Sequence, residues 1–245
     1  MTSPPSIPPT VTAFVDRLVR AAADGLDAAV LYGPAAHGDA YADPHAVHVL
    51  IVARDLELAT LARFARPVAW WRRRGHPTPR IVSRAQLAAM ADVFPIELLD
   101  LASHHVVLHG RDPLAQVQVV PEHLRLQCER ELREKMMRLR EGYVEAAGDK
   151  RALLRLLVHA YPAFALVWRG CLRLFGDDVP RSDLDVARAL CRRLDLDPAP
   201  LEAVDAAARG RAPREVEPLF ADCYDLFGRI VKRIDDIVPT TQEPS

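Results

Sequence analysis

Aromatic residues are scarce in this 245-residue chain, at 6%, and lysine is nearly absent, with only Lys135, Lys150 and Lys232 among 32 basic residues. The shortage of rings leaves a core to be built from Leu, Val and Ala, and a hydrophobic content of 50% supplies them. The lysine deficit is uniform along the chain, so it reads as a coding bias rather than arginine-dependent recognition. Charge of one sign is also lacking: 32 basic residues face 33 acidic ones, a formal net charge of −1. No overall field therefore draws the protein to nucleic acid or to anionic lipid. The four cysteines, Cys128, Cys171, Cys191 and Cys223, stand far apart without a C-x-x-C pair. That spacing gives no basis for a zinc site or a disulfide framework, and the thiols are expected as small buried hydrophobes. No apolar run reaches the ~20 residues of a membrane span. Residues 1–9 are rich in Pro and Ser and hold no signal-peptide-like apolar segment. A cytoplasmic location and no membrane partner are the expectation.

What is present divides into two patterns. After a disordered Pro-rich start at 1–9, Thr10 or Thr12 can cap a helix with Phe14, Val15, Leu18 and Val19 on one side. Ala28–Tyr32 reads as a strand running into Gly33, and Val47–Ala53 as a second strand. Asp55 is placed to cap the next helix, which Pro67 is expected to interrupt. Arg80–Val82 reads as a short strand and Ser83 as a helix cap, with Phe94–Leu101 and Val106–Leu108 as further strands. Residues 10–115 thus form an α/β (α+β) domain with a mixed sheet. From Pro121 the spacing becomes three and four: Leu124, Cys128, Leu132, Met136, Leu139 and Tyr143 make an amphipathic stripe. Four further helices follow, over 150–175 (kinked at Pro162), 182–194, 200–209 and 214–238, so 121–239 reads as an all-α helical bundle ahead of a polar tail at 240–245.

One segment carries a family likeness: Leu31-Tyr-Gly-Pro-Ala-Ala-His-Gly-Asp-Ala-Tyr-Ala-Asp-Pro-His-Ala-Val-His-Val-Leu-Ile-Val52. It resembles the signature of the polymerase-beta-type nucleotidyltransferases, in which a strand ends in Gly-Ser, a second Gly follows, and a loop leads to Asp-x-Asp on the next strand. As an order of elements the likeness extends through Leu108, and a helical domain follows in many members. These include the aminoglycoside nucleotidyltransferases and relatives of the minimal nucleotidyltransferases paired with HEPN bundles. The resemblance implies a cleft in which Gly-Ser approaches a triphosphate while paired aspartates hold divalent metals that orient the attacking hydroxyl, assisted by a third carboxylate on a later strand.

Matched residue by residue, Gly33 and Gly38 keep the glycine positions, and Asp39 and Asp43 match common loop residues. Pro34 replaces the Ser and has neither hydroxyl nor N–H. His45 and Val47 stand where the aspartates belong, and a one-residue slide brings in Ala46 and His48 instead. Magnesium prefers hard oxygen donors, so these histidines do not restore the metal site. Glu97, with Asp100 on the opposite face of its expected strand, is the candidate third acid.

The resemblance therefore implies a catalytically degenerate protein that binds a nucleotide or small ligand in an interdomain cleft through Gly33, Gly38, His45 and His48, without metal. The alternative is an active, magnesium-dependent transferase moving a nucleoside monophosphate with displaced acids Asp39, Asp43 and Glu97. A third reading is a structural module whose bundle dimerises or docks a protein partner. Other clusters point to local structure. Adjacent His104 and His105, with His109 and His123 nearby, diverge on a strand and do not chelate one ion. Trp70-Trp71-Arg72-Arg73-Arg74 reads as a helix end with Trp inward and arginines at the C-terminal dipole, so nucleic acid is not an expected partner. Arg151, Arg155 and His159 miss the HEPN spacing.

Overall fold

The computed structural model describes residues 7–37, 47–211 and 213–235, and the chain divides into two compact units. The first comprises Met1–Val93 with Glu97–Gln118, the second Phe94–Ile96 with Val119–Ser245. The architecture is α+β with a small mixed sheet and many helices.

The first unit opens on α1 (Pro9–Ala22), whose first turn holds Pro9 itself, where a fixed φ and a missing N–H cost nothing. Neither Thr10 nor Thr12 caps it. Then β1 (Leu26–Tyr32) pairs antiparallel with β2 (His48–Ala53), and α2 (Leu58–Arg72) leads to β3 (Arg80–Ser83), which lies parallel to β2. The helix α3 (Arg84–Val93) starts where the Ser83 hydroxyl accepts the Gln86 N–H at 3.1 Å, the cap read from the sequence. After α4 (Pro95–Ser103), β4 (His105–Gly110) pairs antiparallel with β1, completing the sheet order β3-β2-β1-β4.

Strand alternation sorts the sheet into two faces. Leu31, Val49, Ile51 and Ala53 are buried against Val11, Phe14 and Leu18 of α1 and Phe64 and Trp71 of α2. Val30, Leu50, Val52 and Val82 are buried on the other face. The strands stay regular except for two bulges in β1, and Gly110 closes β4 at φ +80°. Any Cβ there would lie 2.1 Å from the Asp27 carbonyl oxygen, so only glycine fits.

Three expectations are corrected. Pro67 does not interrupt α2, which runs through it with Pro67 buried; packing of Phe64 and Trp71 on either side outweighs one lost backbone hydrogen bond. Asp55 is not the cap of α2: its carboxylate accepts the Glu57 N–H at 3.0 Å ahead of the helix, while Leu58 is left 84% exposed. Phe94–Leu101 is not a strand but most of α4, begun by Pro95. Proline is well suited to a first helical turn, and the Leu, Glu and Ala that follow are better helix than strand formers. The Ile96 N–H near its start is satisfied at 2.8 Å by the buried Gln127 side chain.

Helices are the only regular elements among the described residues of the second unit: after the start of α4 come α5 (Pro121–Ala146), α6 (Lys150–Leu174), α7 (Asp183–Arg193), α8 (Ala199–Ala208) and α9 (Val216–Asp235). The α5 stripe from Leu124 to Leu139 is buried, and only its end, Tyr143, is half exposed. Asp149 caps α6 by accepting the Arg151 N–H at 2.8 Å, and Ser182 caps α7. Pro162 lies inside α6 without ending it. At the centre, Phe164 stacks on Phe227 at 4.2 Å with Trp168 alongside, and Gly170 lets Cys128 approach the α6 backbone. All four cysteines are buried free thiols; burial, with Asp222 adding to it, pushes Cys223 up to about 12. No described helix is long and apolar enough to cross a membrane.

Candidate functional site

Four polar residues line up across one end of the sheet. Tyr32, the last residue of β1, faces His48 on one neighbouring strand and His105 on the other, and Leu50 faces Arg80. Directly opposed residues share a face, and so do residues two apart on a strand. Arg80, His48, Tyr32 and His105 therefore lie on the same face, across all four strands. The Tyr32 and His48 rings sit 5.6 Å apart. Gly33 follows at φ +74°, and a Cβ on it would come within 3.1 Å of His48 Cδ2, so glycine leaves room for that imidazole and for the turn. The chain then winds into a short 3-10 turn at Pro34–His37, where the Ala36 N–H reaches the Gly33 carbonyl at 3.0 Å.

The electrostatics of this end are those of hydrogen-bond donors. Burial lowers the pKa of His48 and the Arg80 guanidinium lowers it further, so its imidazole is neutral at pH 7. Burial raises Tyr32, against the pull of Arg80, and keeps the phenol protonated. The His105 ring is held between the Ala102 carbonyl at Nδ1, 3.0 Å away, and the Asp112 carboxylate at Nε2, 3.1 Å away. Burial alone would raise Asp112, but the Leu114 N–H at 2.8 Å and His105 outweigh it and hold the carboxyl below its usual range. A guanidinium, a phenol and an imidazole suit an oxyanion. A divalent cation needs converging oxygens of negative charge, and among the described residues no three His, Cys, Asp or Glu side chains gather to hold a metal.

Of the residues singled out in the sequence, the structure brings Gly33 and His48 together. Gly38, Asp39, Asp43 and His45 lie outside the described residues. Glu97 is a correction: it sits in the first turn of α4, not on a strand, and three residues before Asp100 it shares that residue's side of the helix rather than opposing it. It occupies no position in the sheet register. His104 meets the neighbouring Ser103 hydroxyl at 3.1 Å, and His105 turns to Asp112.

Sequence reasoning missed Tyr32, Arg80 and the His105–Asp112 pair as site residues. Tyr32 had a local signal, as the polar end of an apolar strand next to a glycine. Arg80 had none, since only the parallel β2–β3 pairing carries it to His48. No protein-family model matches the chain, and no curated protein matches it either.

Proposed function

We propose that the chain is a catalytically degenerate nucleotidyltransferase-like protein that acts by binding, taking the phosphate end of a nucleotide or a similar small ligand beside Tyr32 and His48. The observation that carries this reading is the row Arg80–His48–Tyr32–His105 at the glycine turn, at the sheet end where the resembled family keeps its metal-binding carboxylates. Donors at that position favour a phosphate oxygen directly, through charge-assisted bonds from Arg80 and neutral bonds from the phenol and imidazole. They offer a magnesium ion no carboxylate, and the charge of Arg80 opposes it.

Calorimetry with ATP and GTP, each with and without magnesium, tests the proposal. The expected result is binding that does not require magnesium and weakens roughly 10- to 100-fold in Arg80→Ala, the span of a lost hydrogen bond to a charged group. His48→Ala should weaken it less. Absence of heat with either nucleotide overturns the binding role. Magnesium-dependent transfer of labelled nucleotide that disappears in Asp43→Ala establishes an active transferase instead.

A further inference from the structure

Away from that sheet end, α1 and α2 form a groove of about 670 Å³ lined by Arg17, Arg20, Arg66, Arg73 and Trp70. We propose that this groove binds single-stranded nucleic acid, its arginines on the phosphates and the planar groups around Trp70 against a base.

Buried aromatic contacts pack together the two helices that line the groove. Trp71, fully buried, stacks on Phe14 of α1 at 4.5 Å and on His76 at 3.7 Å, and its indole N–H reaches the Pro77 carbonyl at 2.9 Å. These contacts lock α2 against α1. The next residue back, Trp70, is turned about 100° around the helix and stays partly exposed at the groove. The two tryptophans thus divide the work: one fixes the helices, the other faces outward.

Spacing puts the charges in line. Arg17 and Arg20 are three apart on α1, and Arg66, Trp70 and Arg73 follow at four and three on α2, so each set shares a helix face. From Arg66 to Arg73 the rise is about 10 Å, long enough for successive phosphates of one strand. All four arginines are exposed, and none pairs with a carboxylate among the described residues; the Arg20 Nε–H is donated to its own helix, at the Asp16 carbonyl. Among the described residues no acid lines the groove. In a protein of net charge −1 this is a local concentration of positive charge.

The indole gives the charge its direction. Arg17 and Arg74 place their guanidinium carbons over the Trp70 ring, 4.5 and 3.8 Å from its centroid, and Arg74 is further tied to the Trp70 carbonyl at 3.1 Å. A guanidinium laid flat on an aromatic ring keeps its N–H edge free for a phosphate while its outer face accepts a base. Alternating cations and planar surfaces are how single strands are held without sequence readout. An unpaired base can reach the indole and its guanidiniums, whereas the bases of a duplex are stacked within it. A lipid surface would favour a convex, apolar-tipped face, whereas this one is concave with a single aromatic.

The test is fluorescence anisotropy of a labelled oligouridylate of about 12 nucleotides with a free 5′-hydroxyl, titrated with the full chain over a range of salt. Binding should fall with salt at a slope on the order of −3 in logarithmic units, the value for four phosphate contacts on a single strand. Arg66→Glu with Arg73→Glu should weaken it by tenfold or more, and roughly halve the slope. Trp70→Ala should weaken it at every salt concentration, and His48→Ala should leave it unchanged. Unaltered binding in the double arginine variant overturns the proposal, as does absence of salt-sensitive binding. Capture by phosphatidylserine vesicles through the same arginines, with no oligonucleotide bound, assigns the groove to membrane and equally overturns it.

Discussion

Along the helical unit, arginines meet acids: Arg125 with Glu129 at 2.9 Å, Arg133 with Asp235 at 2.7 Å, Arg169 with Asp183 at 2.7 Å, Arg188 with Glu202 at 2.7 Å. In the α/β unit Arg84 meets Asp27 at 2.8 Å, but Arg17, Arg20, Arg66, Arg73 and Arg80 have no carboxylate among the described residues. One residue type serves two ends here. Among the helices it neutralises acids, within α5 as Arg125 does with Glu129 or from one element to the next, where the net gain is small. On α1, α2 and β3 its charge meets no carboxylate among the described residues, and such charge raises the local concentration of anions. Composition is blind to this difference, because both sets count equally toward a net charge near zero.

The contrast can be broken most severely by removing the anchor under the arginines of α1 and α2. Trp71→Ala should cost about 3–5 kcal/mol, the range for a large buried side chain, read by urea denaturation, and should abolish oligonucleotide binding with it. Next, Arg169→Ala takes a largely buried guanidinium from both Asp183 and the Arg181 carbonyl. A loss of about 1.5–3 kcal/mol is expected, as for hydrogen bonds to charged groups. The exposed Arg133, shared between Glu129 and Asp235, should cost only about 0.2–1 kcal/mol on truncation. Arg66→Ala and Arg73→Ala should each move stability by less than about 0.5 kcal/mol. Equal losses in the paired and unpaired sets would dissolve the distinction.

The finest test is pH. The unfolded chain takes up a proton on His48 near pH 6.5, while the folded imidazole, buried and beside Arg80, does so only at lower pH. The unfolded state therefore binds more protons in that interval, and stability declines as pH falls below about 6.5. Thermal melts of His48→Asn should lose that part of the slope. The Asp112 carboxylate, held low, adds its own loss only below about pH 4.

Much of the fold was legible locally. The three-and-four spacing of Leu124, Cys128, Leu132, Met136 and Leu139 marks α5, and all five are buried. Apolar runs mark β1 and β2 to within two residues, and Ser83 and Ser182 announce the helices they cap. Phe94–Leu101 misled because a short, mainly apolar run, with only Glu97 and Asp100 charged, is too brief for its period to distinguish strand from helix. Of the candidate site, Gly33 and His48 could be found by pattern. Arg80 could not, since its pairing partner Leu50 lies far back in the chain and only the parallel β2–β3 register brings the two side by side.

Periodicity, punctuation by proline and glycine, and residue chemistry thus settle the strands, most helices and the absence of an acid pair at His45 and Val47. Those are properties of neighbours in the chain, and backbone geometry converts them directly into local structure. Which arginines find acids, which tryptophan is buried, and which four side chains share a sheet end were decided by tertiary packing. Such pairings join residues distant in sequence, and the energies that choose among them exist only once the strands and helices have met.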